Sequence, residues 1–169
     1  MKKTVLLLLV FACFSCEKPT QKKWEMFYGY TSGDIVGEYV NSGADDAFSD
    51  LTEGNECHLC TDAQVGISAL SGGSISFHIL CSDHNNFEKS FSGKPALGEN
   101  AFLISLYGNM TNLKRYGVSA KVLKNAENAV RLEGFVAEDH YEREYNSATH
   151  TYDTLFSYSV KYYFDVVKE

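Results

Sequence analysis

Apolar and polar side chains alternate along several stretches of this 169-residue chain, and no long stretch keeps the spacing of an amphipathic helix. Alternation with a period of two places one set of side chains on a single face of a β-strand. In the last stretch, Phe156, Tyr158, Val160, Tyr162, Phe164 and Val166 would share one face. The pattern predicts strands at residues 74–82, 101–108, 116–124, 130–137 and 156–166.

Short turn-forming segments at residues 31–33, 71–73 and 125–128 separate the alternating stretches. Because short connections join antiparallel neighbours, the chain is predicted to be all-β, an antiparallel meander of about eight or nine strands. A closed meander would be a lipocalin-like barrel, and two packed sheets would be a β-sandwich; both satisfy the alternation. The composition agrees, since 11 Tyr and 11 Phe suit a pleated, half-buried surface.

Two segments interrupt this pattern. Residues 41–62 are polar and acidic, with at most a short helix near residues 44–51. Residues 139–153 are predicted to form either a long loop or an extended hairpin arm before the final strand. In a hairpin arm, the Tyr rings of residues 139–153 would pack on the sheet.

The N-terminus carries Lys2 and Lys3, followed by an apolar run at residues 5–14. This run is too short for a membrane-spanning helix, which needs roughly 20 residues. Its layout is that of a signal peptide, and residues 1–15 are predicted to be removed. The run ends in Cys13-Phe14-Ser15-Cys16, with a small residue directly before a cysteine.

This ending resembles the lipobox of bacterial lipoproteins, in the loose form of Bacteroidetes-type lipoproteins. The resemblance implies that Cys16 becomes the first residue of the mature chain and carries the lipid, with acyl groups such as palmitate. Cys13 is the second choice, and the polar segment directly after Cys16 favours Cys16. Residues 16–23 would then be a lipidated tether and residues 24–169 a single all-β domain, held at the bacterial cell envelope, with the outer membrane as the expected site.

The net charge of −7 restricts the classes of partner that this chain is expected to bind. Loss of residues 1–15 removes two lysines and no acid, so the charge of the mature chain becomes −9. A chain this acidic repels phosphate backbones, so nucleic acid is not expected as a partner. No basic amphipathic segment is present to hold a membrane surface, which leaves the lipid as the means of attachment.

The segment Cys57-His58-Leu59-Cys60 has redox C-x-x-C spacing but lacks the βαβ setting of a thioredoxin-like site. A disulfide among Cys57, Cys60 and Cys81 is the favoured interpretation, because thiols oxidise beyond the inner membrane. The alternatives are unpaired thiols, redox catalysis, and a zinc site in which His58, His78 or His84 would be the fourth ligand. Because the second half of a zinc motif is missing, we expect no metal and no cofactor.

Other titratable groups give weaker signals. His78, Asp83 and His84 lie near the end of one predicted strand, where a carboxylate could orient a histidine. Asp45, Asp46 and Asp50 could collect calcium, but the order of acids in a calcium loop is absent. The usual catalytic motifs of hydrolases, metalloproteases and phosphate-binding loops are also absent, so the sequence favours a protein that is not an enzyme.

The segment at residues 139–153 is rich in aromatic side chains that can also form hydrogen bonds. His140, Tyr141, Tyr145 and Tyr152 form a possible binding loop, able to stack on a sugar ring or contact a partner. The sequence therefore favours a membrane-tethered, non-catalytic β domain that binds a protein, a glycan or a small ligand. A lipocalin-like carrier of an apolar ligand is the alternative, and an enzyme is less favoured.

Overall fold

The fold is all-β, as the alternation predicts. The structure, a computed structural model, describes residues 23–43, 48, 56–84, 86–96 and 98–169. In this part of the chain there are ten strands, one short helix and a 3-10 turn. They are β1 (Glu25–Met26), α1 (Ser32–Ile35), β2 (Gly37–Asn41), β3 (Cys57–Leu59), β4 (Gln64–Ala69), the 3-10 turn (Ser71–Gly73), β5 (Ile75–Cys81), β6 (Phe87–Gly93), β7 (Leu103–Tyr107), β8 (Lys114–Lys124), β9 (Val130–Asn146) and β10 (Thr151–Lys168).

All ten strands belong to one sheet. Strands β4, β5 and β6 form one meander and β7 to β10 form another, and β2 joins them by pairing with both β10 and β4. The pairings are antiparallel except that of β3 with β10, which is parallel. No hydrogen-bonded ladder among the described residues links β6 to β7, so the sheet is open there. These two edges nevertheless approach each other, since a Cβ built on Gly93 would lie 3.1 Å from Leu106 Cδ2.

One apolar core lies inside this rolled sheet, and it draws on the same face of β4, β5, β7, β8, β9 and β10. Its largest fully buried side chains are Tyr30, Tyr39, Phe77 and Phe164. Tyr30 donates a hydrogen bond to the Leu103 carbonyl at 2.8 Å, and burial raises the pKa of Tyr30 to about 12. These aromatic side chains form the centre of the core.

The final strand departs from the predicted alternation at one residue. A bulge between Phe156 and Tyr158 places Ser157 as an extra residue opposite β9. Phe156 pairs with Tyr141 and Tyr158 pairs with His140, so Phe156 and Tyr158 lie on opposite faces. The even-numbered positions 158–166 thus share one face, on which Phe164 and Val166 are buried in the core, whereas Phe156 is on the other face and is 59% exposed.

Trp24, near the start of the described chain, lies against the outer face of the sheet, whereas Tyr30 is in the core. Trp24 packs over the guanidinium of Arg131, 5.5 Å from the ring centroid. Arg131 in turn donates from Nε to Asp165 Oδ1 at 2.7 Å in a buried ion pair. The turn predicted at residues 31–33 instead begins α1, where the Thr31 N–H donates to Asp34 Oδ2 at 2.7 Å.

Candidate functional site

The segment predicted as a loop or hairpin arm is a hairpin arm. Strands β9 and β10 pair along their whole length, but β8 accompanies β9 only as far as His140. On the other side, β3 accompanies β10 only from Lys161 onward. Residues 141–157, here called the arm, therefore form a two-stranded ribbon without a further strand beside it in the described chain. Such a ribbon is marginally stable in water by itself.

The residues predicted as a binding loop divide between the two faces of this hairpin. Tyr141, Tyr145, Tyr152 and Phe156 share one face, because Tyr145 pairs with Tyr152 and Tyr141 with Phe156. The Tyr145 and Tyr152 rings lie 5.3 Å apart, and their side chains are 51% and 67% exposed. His140 lies on the opposite face, stacked on Tyr158 at 4.2 Å. Three of the four predicted residues are therefore brought together, and Phe156 joins them.

The arm also carries an acidic pair. Glu144 and Asp153 lie directly opposite each other in the ladder, and like charges in that arrangement are destabilising. They line a surface pocket of about 310 Å³ together with Tyr145, Asn146 and Ser147. The Asn146 amide donates to Asp153 Oδ2 at 3.0 Å, but an amide carries no charge. Among the described residues, no cation forms an ion pair with Glu144 or Asp153 at this place. The two carboxylates give this pocket a negative charge.

Where the arm joins the sheet, Glu138 organises a second polar cluster. Its Oε1 lies 2.6 Å from Lys114 Nζ and 2.9 Å from His140 Nε2. Burial acts to raise the pKa of Glu138, but hydrogen bonds from Lys114 and Tyr116 outweigh that effect and the pKa lies below its ordinary value. An acid with a lowered pKa is ionised at neutral pH and is poorly suited to donate a proton. We therefore interpret Glu138 as a group that fixes the base of the arm.

The three remaining cysteines separate into a bonded pair and a free thiol. Cys60 joins Cys81 in a disulfide, whereas Cys57 carries a free thiol. In the parallel ladder Cys57 aligns with Lys161 and His58 with Tyr162, so Cys57 lies on the face away from the core while Cys60 is buried. The two cysteines of the C-x-x-C segment thus belong to different faces of the sheet, which does not suit a redox pair.

The groups considered for zinc are also dispersed. Cys60, Cys81 and Asp83 place ligand atoms within 4.8 Å of one another, but the disulfide uses both sulfurs. His58 and His84 pack together, with ring centroids 5.0 Å apart, and His84 Nε2 lies 2.6 Å from the Leu59 carbonyl oxygen. His78 is on the outer face of β5, where its Nε2 contacts Glu88 Oε1 at 2.8 Å.

The carboxylate expected to orient a histidine serves the backbone instead. Asp83 Oδ2 accepts from the Thr61 N–H and Oγ1, both at 2.7 Å, and it lies 4.0 Å from His84 Nε2. These bonds hold the loop after β3 against the end of β5, next to the disulfide. The role of this cluster is therefore mainly structural. His78 is not part of it.

Several predicted residues lie outside the described part of the chain. These are the signal peptide at residues 1–15 with Cys13, the tether up to residue 22 with Cys16, and the acidic residues Asp45, Asp46 and Asp50. Within the described residues, no helix is long and apolar enough to cross a membrane.

Glu138, Lys114 and the Glu144–Asp153 pair were not singled out by sequence reasoning. The only available signal was the density of acids in residues 138–144, which does not reveal which of them face each other. Comparison of the chain with models of protein families, with curated proteins and with solved structures finds no match.

Proposed function

We propose that this chain is a lipid-anchored, non-catalytic binding protein of the bacterial cell envelope, and that the arm holds a protein partner with a basic surface. The observation that carries the proposal is the combination, on one two-stranded ribbon, of an exposed aromatic face with an uncompensated acidic pair. Exposed apolar patches rimmed by polar residues are characteristic of interaction sites.

The aromatic face provides the contact area. Tyr145, Tyr152 and Phe156 are all more than half exposed, and large aromatic side chains supply much of the binding energy in protein interfaces. A ribbon that is marginal by itself also gains from a partner that covers it. The arm is therefore only marginally stable when nothing covers it, and a bound partner would stabilise it.

The charges favour a basic protein surface. Glu142, Glu144 and Asp153 outnumber Arg143 on the arm, and the whole chain is acidic. A Lys or Arg of the partner placed between Glu144 and Asp153 would remove the repulsion between those carboxylates. Complementary charge of this kind raises association rates and selects partners.

A carrier of an apolar ligand is less well supported. Four large rings, those of Tyr30, Tyr39, Phe77 and Phe164, occupy the core. An enzyme is less well supported for a different reason. The titratable side chains do not form one cluster, because His78 contacts Glu88 on β6, whereas His140 contacts Glu138 at the base of the arm.

The proposed anchor would present the arm away from the membrane. The tether enters the sheet at β1, which pairs with Leu123 and Lys124 at one end of β8, and the arm extends past the other end. Sixteen steps along β9 from Val130 to Asn146, at about 3.3 Å each, place the tip roughly 50 Å from the tether end. That distance suits contact with a partner beyond the headgroup layer.

Photo-crosslinking in cells tests whether the arm contacts a protein partner. A photoreactive residue replaces Tyr152 in one strain and Tyr28, which is 55% exposed near β1, in a control strain. We expect a crosslinked band of discrete mass with the probe at 152 and none at 28. Glu144→Gln in the same chain should weaken the band, whereas Glu99→Gln, on an exposed loop, should leave it unchanged. Equal bands from both probe positions, or no band at 152, would contradict the proposal.

A further inference from the structure

One edge of β10 has no neighbouring strand before Lys161. On that side β3 begins to pair with β10 at Lys161, and β2 pairs with it further on, at residues 166–168. Within the described part of the chain, no backbone hydrogen bond reaches residues 151–159 from that side. The side chains of residues 151–158 are all exposed. This edge is therefore accessible to another chain.

Alternate backbone polar groups point out of this edge. On β9, Tyr141 donates its N–H away from β10, to the Leu113 carbonyl at 2.8 Å. Because backbone groups alternate in direction along an antiparallel ladder, those of Arg143 also point away from β10, and those of its ladder partner Thr154 point away from β9. The same holds for Tyr152, two residues before Thr154. Unpaired N–H and C=O groups of this kind are a template for another strand.

The β10 edge has little of the protection that exposed edges usually carry. Natural proteins block such edges with charged side chains, proline or bulges. Residues 151–160 contain one charge, Asp153, and neither proline nor glycine, and the bulge at Ser157 leaves residues 151–156 in regular pairing. The opposite edge of the arm, on β9, carries three charges in succession at residues 142–144. Strand pairing is therefore favoured at β10.

A strand added to this edge would meet two different surfaces, because successive side chains point to opposite faces of a sheet. Tyr152 and Phe156 are on one face, and Asp153 is on the other, opposite Glu144. On the face of Tyr152, the added side chains would lie beside aromatic rings, which pair favourably with aromatic and β-branched residues. On the face of Asp153 they would lie beside two carboxylates, which favour Lys or Arg.

We infer that the partner contributes an extended segment that adds to β10 at residues 151–156 as a further strand, and that Lys or Arg alternates with apolar residues in this segment. Backbone hydrogen bonds would supply affinity, and the alternating side chains would supply specificity, as in other cases of strand addition. This inference rests on the proposed function and specifies how the arm holds its partner.

A second copy of this chain fits the same edge less well. Residues 151–156 contain no Lys or Arg, so two copies paired through this edge would bring no cation to Asp153. The acidic charge of the chain would also oppose the approach of two copies. A basic segment of a different protein meets both requirements.

Peptide binding tests the alternating pattern. Two fluorescent peptides contain equal numbers of Lys and Val, but one alternates the two residues and the other repeats Lys-Lys-Val-Val. The full chain, purified from membranes in a nonionic detergent, is titrated into each, and the fluorescence anisotropy is measured. We expect the alternating peptide to bind at least about tenfold more tightly. Equal or tighter binding of the Lys-Lys-Val-Val peptide, or no binding of either at millimolar concentration, would overturn the inference.

Proline substitutions on the two edges of the arm locate the added strand. Thr154→Pro removes an N–H that faces the open edge of β10, and it removes none from the ladder with β9. Arg143→Pro, at the paired position on β9, does the same at the opposite edge. Thr154→Pro should weaken binding of the alternating peptide by about tenfold or more, whereas Arg143→Pro should not weaken it. Equal effects of the two substitutions, or no effect of Thr154→Pro, would overturn strand addition at β10.

Asp153→Asn gives a second measurement in case proline unfolds the arm. This change keeps the shape of the side chain and removes its charge, so binding of the alternating peptide should weaken by about twofold or more. Glu99→Gln removes one charge from an exposed loop and is the matched control. If the two variants bind the peptide equally well, Asp153 does not select a basic segment and the inference fails.

Crosslinking in cells separates this inference from the proposed function. With the photoreactive residue at position 152, the additional change Thr154→Pro should weaken the crosslinked band. A band of unchanged strength would mean that side chains alone hold the partner, which retains the proposed function and overturns strand addition. No band from the chain that keeps Thr154 would overturn both.

Discussion

At the scale of single residues, Glu138 connects the fold to the arm. Its carboxylate contacts the side chains of Lys114 on β8 and His140 on β9. The Glu138 side chain itself is only 12% exposed. The stacked His140 and Tyr158 rings lie directly beyond it. Loss of its charge should therefore loosen the base of the arm as well as destabilise the sheet.

We predict that Glu138→Gln lowers the free energy of unfolding at pH 7 by about 1.5–3 kcal/mol, the scale of a lost charged hydrogen bond. The folded-state pKa of Glu138 is below the ordinary value of 4.5, so its stabilisation is present above that value and is lost as the pH falls through the lowered pKa. Urea denaturation should therefore separate the two chains at pH 7 and bring them together in strong acid.

Glu142→Gln is the matched control, since this exposed acid of the arm accepts one bond from Ser157 Oγ at 2.9 Å. It should change the unfolding free energy by less than about 0.5 kcal/mol. A pH-independent difference between the original chain and Glu138→Gln would show that the carboxylate contributes packing and not charge.

At the scale of elements, the Cys60–Cys81 disulfide holds β3 and the end of β5 together. The two residues are 21 positions apart, and closing a loop of that size typically stabilises a fold by about 2–4 kcal/mol. We predict a loss of this size in the double variant Cys60→Ala/Cys81→Ala, measured by urea denaturation without reductant. Cys57→Ser should leave the stability unchanged, and a matching loss in Cys57→Ser would mean that the pairing is different.

Labelling provides a second measurement of the same pairing. In the mature chain an alkylating reagent should modify Cys57 before reduction, because it is the partly exposed thiol of the three. After reduction and unfolding it should modify Cys57, Cys60 and Cys81. Three labels before reduction would contradict the disulfide.

Local alternation was sufficient to predict β5, β7, β8 and the core-facing parts of β9 and β10, but not β6 or the arm. The buried residues Val118, Ala120 and Val122 follow the predicted period on β8, because one side of that strand faces the core. On β10 the bulge at Ser157 moves the residues before it to the opposite face of the sheet. An alternating sequence contains no local signal for such an extra residue, because the bulge is defined by the pairing with β9. His140 and Tyr141 are adjacent on β9 and therefore point to opposite faces, but this separation holds only for a strand, and the sequence left open whether residues 139–153 form a loop.

The strand β3 was missed for a related reason. It has three residues and pairs in parallel with β10 more than one hundred positions away, so its stability comes from a distant neighbour rather than from its own pattern. The contribution of Asp83 was likewise non-local, since its partner is the backbone of Thr61. Residue types alone suggested a histidine site there.

At the scale of the whole molecule, the two ends of the sheet differ in chemistry. One end carries β1 with Lys23 and Lys124, and the other carries the arm with its acids and aromatic rings. The polar segment of residues 17–23 connects the first of these ends to Cys16. A lipid on Cys16 would therefore give the domain a defined direction, with the acidic arm outermost.

This direction depends on the proposed lipid on Cys16. Cys16→Ala should move the protein from the membrane fraction to the soluble fraction and abolish labelling by a fatty acid analogue, because a short signal run cannot span the bilayer. Cys13→Ala is the matched control and should stay in the membrane fraction with its label. If the reverse holds, Cys13 is the lipidated residue and the tether is three residues longer. If neither change releases the protein, lipid on these cysteines is not what holds it at the membrane.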